Sequence, residues 1–400
     1  MRLLKFVFII FILAFFIAEV GWYQFSNGIA VSLNDILLSV VILVWIANHL
    51  LRKQKFVLGK LFKPILLFSV IGLISLLLNF PNLSFANLLV SSLYLVRWIA
   101  YALIYVIVSE FEPKFKKIIS YSLLFSGSIV VLWGYAQYFF YPYLGNLRYL
   151  GWDIHLYRMF SSFLDPNYAG AFFGIFFLYT IAFLRNYLVK KELIKSLLIS
   201  LISLFTFIAL YLTYSRSALI MLLTGVIIYL CLIGKKKFIA LAIVLIFLSI
   251  FILPKSFTTE GTNFLRAVSS EARIKNAQEA LIVIKNSPLY GVGFNAYRYA
   301  GNRLGIVTGL DWQVSHGGAG TDNSFLFVLA TTGIIGLIVY LNFLYRMIRL
   351  GLSNLQRNKY AVVLVSSLAG LFVSSLFINS LFYVFMLEWI WILAAFTEKS

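Results

Sequence analysis

The residues of this chain that could do chemistry are arginines, isolated carboxylates and a few histidines, set between blocks of apolar residues. Arg148, Arg158, Arg216, Arg266, Arg273, Arg298 and Arg303 stand in one set of inter-block segments, or at its edges, in company with only three lysines. A guanidinium is a planar fork that grips phosphate through paired N–H groups, whereas an ammonium is a point charge. The same segments hold His155, His316 and Asp322-Asn323-Ser324. Arginines to neutralise a phosphorylated leaving group, with an imidazole or carboxylate to take a proton, are the parts of a group-transfer site. Each has a structural reading beside the chemical one. Asp322-Asn323-Ser324 and Asp165-Pro166-Asn167 precede apolar blocks, where such residues cap helices. Arg216 opens a block and can snorkel to an interface.

Other chemistries are not indicated. The sequence has no Asp-x-Asp and its acids do not cluster, so a divalent-metal phosphate site is not expected and arginine would have to replace the metal. It has no GxSxG, HExxH or Walker loop, and no cofactor is expected. Gly291-Val292-Gly293 opens no βαβ unit, so dinucleotide binding is unsupported. Arg97 lies inside an apolar block, near mid-membrane, where an arginine costs about 2.5–3.5 kcal/mol on insertion scales. It should face the interior, either as a substrate contact or in an ion pair, for which Glu388, also inside a block, is the candidate partner.

The elements that must position these groups follow from composition. Of 400 residues, 62% are hydrophobic and 12% charged, against roughly 45–50% and about 25% in soluble domains. The excess forms blocks of the length needed to cross a bilayer, about 20 residues. The expected fold is all-α and polytopic, with twelve transmembrane helices near 5–21, 29–49, 62–79, 84–108, 117–140, 166–184, 194–212, 216–233, 238–253, 323–344, 360–378 and 380–397. The chain thus divides into helices 1–9 (1–253), a loop region (254–322) and helices 10–12 (323–400). Two thirds of the 33 basic residues fall in alternate short loops, which marks those loops and both termini as cytoplasmic. A net charge of +19 can signal nucleic-acid binding, but charge dispersed in this pattern serves membrane insertion, and no nucleic acid is expected. The N-terminal block reads as a retained helix, not a cleaved signal peptide. The lone Cys231 says nothing about redox compartment. In the 254–322 loop, Ile274, Ala277, Leu281 and Ile284 at helical spacing, after a cap at Ser269 or Ser270, predict an amphipathic helix on the outer face.

Asp165-Pro166-Asn167, Ser215-Arg216-Ser217-Ala218-Leu219, Glu271-Ala272-Arg273 leading to Pro288-Leu289-Tyr290-Gly291-Val292-Gly293-Phe294, and Asp322-Asn323-Ser324-Phe325-Leu326 followed by Thr332-Gly333-Ile334-Ile335-Gly336-Leu337 occur in this order over roughly 160–345. In them the chain resembles the bacterial O-antigen ligase and polymerase superfamily. The resemblance implies a glycosyltransferase of the cytoplasmic (inner) membrane. Its partners would be a polyprenyl (undecaprenyl) diphosphate-linked glycan donor, a glycan or glycolipid acceptor and membrane lipid. Glycan would pass en bloc to an acceptor sugar on the outer face, a lipid-A core sugar for a ligase or a second carrier-linked repeat for a polymerase. It also implies that Arg216 and Arg273 hold the donor diphosphate. Ligases usually carry a His-Asn pair before the late helix; here Asp322-Asn323 stands there, with His316 six residues earlier. His316 and Asp322 are the two candidates for the base, and Arg97, Arg158 and Asn323 are possible substrate contacts. A lipid-linked-sugar transporter or flippase is the competing class. The long loop on one side and the lack of an evident internal repeat weigh against it.

Overall fold

The computed structural model describes the chain except residues 26–28, 146–153, 253–259, 264–267, 310–311, 314–317, 357 and 399–400. Every apolar block expected to span is helical. Among the described residues, seven segments are long and apolar enough to cross a membrane. They are α1 (Arg2–Ala14) with its 3₁₀ continuation to Gly21, α2 (Leu33–Arg52), α4 (Phe85–Ser109), α5 (Pro113–Phe140), α6 (Pro166–Val189), α7 (Leu193–Leu212) and α12 (Ser324–Leu352). Four shorter apolar helices join them: α3 (Phe62–Leu78), α8 (Arg216–Leu232), α13 (Lys359–Ser374) and α14 (Val384–Thr397). Between α8 and α12 come α9 (Ile239–Ile252), α10 (Val268–Asn286) and α11 (Tyr297–Arg303). The protein is an all-α polytopic membrane protein, and among the described residues its strands amount to one small hairpin, Trp22–Gln24 with Ala30–Ser32.

Helix starts follow ordinary chemistry. Ser32 and Asp35 form a reciprocal capping box on α2, and Pro113 and Pro166 occupy first-turn positions where a missing N–H costs nothing. Helix α14 is the axis of the bundle. Every residue from Phe385 to Thr397 is buried, packed by α4, α13 and α12. Outward-facing leucines such as Leu77, Leu132 and Leu204 are exposed, as expected of faces that meet lipid.

Three contacts gather both chain ends and the basic loops at one end of the bundle. The Met1 amine donates to Asn48 Oδ1 (2.9 Å), Lys5 pairs with Glu112 (2.5 Å), and the Lys60 amide donates to Glu398 (2.9 Å). This is the lysine-rich end; the 254–322 segment caps the other, here called the loop end.

Helix α10 buries a different stripe from the one its sequence suggests. Ala280, Val283 and Ile284 pack against α12, while Ile274 and Leu281 are exposed. The helix also begins at Val268, so Ser269 and Ser270 lie in its first turn instead of before it.

Candidate functional site

Two interruptions of helix shape the loop end. Helix α12 is broken at Gly333, whose φ of 68° and ψ of −173° are not helical. In a bilayer the backbone groups freed by such a break need partners from the protein. The segment 288–293 supplies them. The Val292 and Gly293 amides donate to the carbonyls of Ala330 (2.9 Å) and Thr331 (3.1 Å), and the Ile334 amide donates to the Pro288 carbonyl (2.9 Å). Ser75 Oγ donates to the Tyr290 carbonyl (2.6 Å), and Asn79 Nδ2 donates to that of Gly291 (2.8 Å). The two backbones touch closely. A Cβ on Gly291 would lie 2.3 Å from the Thr331 carbonyl carbon, and one on Gly333 would lie 2.1 Å from Leu289 O. Both glycines also have positive φ, so no other residue fits without strain. The second interruption is at Ala18 (φ 42°, ψ −125°), where the first span bends just before Glu19.

These bends open a cavity of about 490 Å³ at the loop end. Its charged lining consists of Arg97, Arg273, Glu19, Asp165 and Asp322, with Tyr94, Tyr168, Asn167 and Asn295 as polar neighbours. The four sequence stretches that carry the resemblance are bonded to one another around it. Ser215 Oγ donates to Asn167 Oδ1 (2.9 Å), joining the starts of α6 and α8. Arg216 donates to Ser270 Oγ (3.1 Å), joining α8 to α10. The Asp322 amide donates to Asn276 Oδ1 (2.9 Å), joining α10 to α12. The backbone pairing at Gly291 and Gly333 completes the set.

Arg273 projects from α10 into the cavity, its guanidinium 6.0 Å from the centre of the Phe377 ring. Burial lowers its pKa from the ordinary arginine value; Asp322 opposes this, Arg216 adds to it and Asp165 opposes it. Arg216 is therefore within electrostatic reach of Arg273, although it does not line the cavity itself. A half-buried guanidinium beside a second one is a place where added negative charge is favourable.

Helix capping and cavity lining are divided between neighbouring residues. Asn323 caps α12, accepting from the Phe325 (2.8 Å) and Leu326 (3.0 Å) amides, and its Nδ2 donates to the Leu376 carbonyl. Asp322, one residue earlier, lines the cavity. Asp165 does both: Oδ1 accepts from the Asn167 (2.6 Å) and Tyr168 (3.2 Å) amides while the residue lines the cavity.

The remaining expected positions divide. Arg97 lines the cavity, but its partner is Asp35 and not Glu388. Nε donates to Asp35 Oδ1 (3.0 Å), one terminal nitrogen contacts Oδ2, and that nitrogen also donates to the Ala30 carbonyl (2.7 Å). Asp35 lies in the first turn of α2 and Ala30 in the hairpin strand just before it, so Arg97 lies level with a helix end. Glu388 is fully buried and accepts from Asn34 Nδ2 (3.2 Å). Arg158 is buried away from the cavity, its Nε on the Thr213 carbonyl (2.9 Å). His316 lies outside the described residues. Sequence reasoning missed Glu19, Tyr168 and Asn295. Only Glu19 carried a signal, as an acid at the end of an otherwise apolar span.

A second hollow of about 530 Å³ adjoins the first, with Glu19 on its border and Trp22, Trp133, Phe140, Phe160 and Leu164 among its walls. It opens sideways, for Phe140 and Trp133 are exposed on α5.

Residues 200–341 match the family model described as O-antigen ligase. The match takes in Arg216, Arg273, the Gly291–Gly333 junction and Asp322; Glu19, Arg97 and Asp165 fall before it. No curated protein matches the chain.

Proposed function

Through residues 200–341 the chain belongs to the O-antigen ligase and polymerase superfamily, and from that premise we propose that it transfers a glycan en bloc from a polyprenyl diphosphate carrier to an acceptor sugar hydroxyl at the loop end. That end would face away from the cytosol, since the basic loops gather at the other. The observation that carries the reading is that three of the four stretches line one cavity where Arg273 and Asp322 share the same space, with the 215–219 stretch bonded behind them.

The chemistry needs few parts. The acceptor oxygen forms a bond to the anomeric carbon as that carbon's bond to the diphosphate oxygen breaks. The electron pair leaves with the diphosphate. Arg273, with Arg216 behind it, stabilises the charge that builds there, a role in which one preorganised donor is worth about 10²–10³ in rate. Asp322 takes the acceptor proton as base, with His316 as the other candidate for that task. Arg97 is committed to Asp35 and serves to hold the cavity floor, within reach of substrate. Asn323 sets the start of α12, and Arg158 braces the 158–160 segment against the turn before α8. The aromatic-walled hollow beside Glu19 suits the carrier's isoprenoid chain, which would enter between the first span and α5.

The test is reconstitution of the purified chain with a polyprenyl diphosphate-linked glycan and alternative acceptors. Arg216→Ala and Arg273→Ala should each slow transfer by about 10²–10³ while expression is unchanged. Undiminished transfer in both would remove the diphosphate clamp. A single product supports the ligase branch, and a ladder supports the polymerase branch.

A further inference from the structure

The lysine-rich end holds a cavity of about 330 Å³ that glycan transfer does not use. Four lysines from four elements line it: Lys117 of α5, Lys190 at the end of α6, Lys195 of α7 and Lys359 at the start of α13. Glu192 also lines it, but is already paired with Lys195 at 2.5 Å. Among the described residues, no carboxylate makes an ion-pair contact with Lys117, Lys190 or Lys359, although Glu192 feels the charge of Lys190 and Lys117. Lys359 is half-buried, with its ammonium 3.6 Å from the centre of the Phe183 ring. It also sits in the first turn of a helix, where the macrodipole disfavours a cation. Four ammonium groups against one carboxylate leave an excess of positive charge around the hollow, which a bound anion would offset.

The surroundings indicate which anion. The turn between α6 and α7 carries Leu188, Val189, Leu193 and Ile194 exposed on either side of Lys190. An apolar lip beside a basic hollow matches an amphiphile, with its charged head in the hollow and its chains along the lip. Basic pockets between spans on the cytoplasmic side recognise anionic lipid headgroups in this way. We propose that this cavity binds the phosphate of an anionic phospholipid headgroup. Ser120 and Tyr360 form its polar wall, their hydroxyl oxygens 2.6 Å apart.

The test uses the purified full-length chain in detergent and native mass spectrometry with phosphatidylglycerol, phosphatidylcholine of the same acyl chains, or inorganic phosphate alone. The wild type should retain phosphatidylglycerol at least about tenfold over phosphatidylcholine. Lys117→Gln, Lys190→Gln and Lys359→Gln together should reduce that preference to less than about twofold. The pair Lys117→Gln and Lys190→Gln, both exposed and free of Lys359's packing, should lower it in the same direction. Lys235→Gln, Lys236→Gln and Lys237→Gln together remove equal charge from another basic loop and should leave it intact. An unchanged preference in the cavity variants, or an equal loss in the control, overturns the site. Inorganic phosphate displacing the lipid at equal concentration assigns the site to a free anion and overturns the lipid.

Discussion

The loop-end cavity and the lysine-rich-end cavity are assembled on different plans. The first draws groups of both signs from the first span, α4, α6, α10 and the start of α12, and needs two interrupted helices to do so. The second uses residues at or near the ends of regular helices and is almost entirely cationic. A site that only holds an anion can be made from the ordinary ends of spans, where lysines already cluster for insertion. The mixed-charge site is built on irregular backbone, and irregular backbone in a membrane needs partners such as the 288–293 segment.

The comparison can be broken most severely at Asp322. Asp322→Asn keeps the shape and removes the carboxylate proposed as base, and on that proposal transfer should fall by about 10²–10⁴. His316→Ala measured alongside decides the base; if only the histidine change slows turnover, Asp322 loses the role. Next is Arg273→Ala, with an expected rate loss of about 10²–10³. Arg273→Lys should recover part of that loss, because charge is kept while the paired donors are not. Neither change should alter anionic-lipid retention at the opposite end, which would show the two cavities to be separable.

Arg97→Ala probes the floor. It leaves Asp35 poorly compensated, and the side chains are 20% and 14% exposed. The loss of stability should lie at the lower end of the about 3–5 kcal/mol typical of a broken buried pair. Thermal unfolding in detergent reads it, and adding Asp35→Asn should restore part of the loss. If Arg97→Ala instead leaves stability untouched and stops transfer, the residue contacts substrate directly. The smallest effect is expected for Asn323→Ala, which removes a cap worth about 0.5–2 kcal/mol and should leave transfer measurable.

Hydropathy made the helices legible because a bilayer demands long apolar segments whatever they pack against. The meeting of motifs was legible only as a resemblance, since no spacing rule says that Ser215 will bond Asn167 or that Asp322 will meet Asn276. Arg97 shows the limit well. Two charges inside spans invite pairing, yet Arg97 takes Asp35 while Glu388 takes the neighbouring Asn34, and Asp35 near a helix start was hidden by its ordinary role in a capping box. The buried stripe of α10 is rotated from the expected one: Ile284 lies on both, but the small Ala280 and Val283 are buried while the larger Ile274 and Leu281 are exposed. Glu19 escaped notice as one more charge beside a loop.

The junction of Gly291 with Gly333 makes the 288–293 segment part of the framework that holds α12. Its backbone completes the tenth span, so the segment is not a transplantable module. Exchanging it between relatives to retarget acceptor choice would succeed only if the late helix travelled with it.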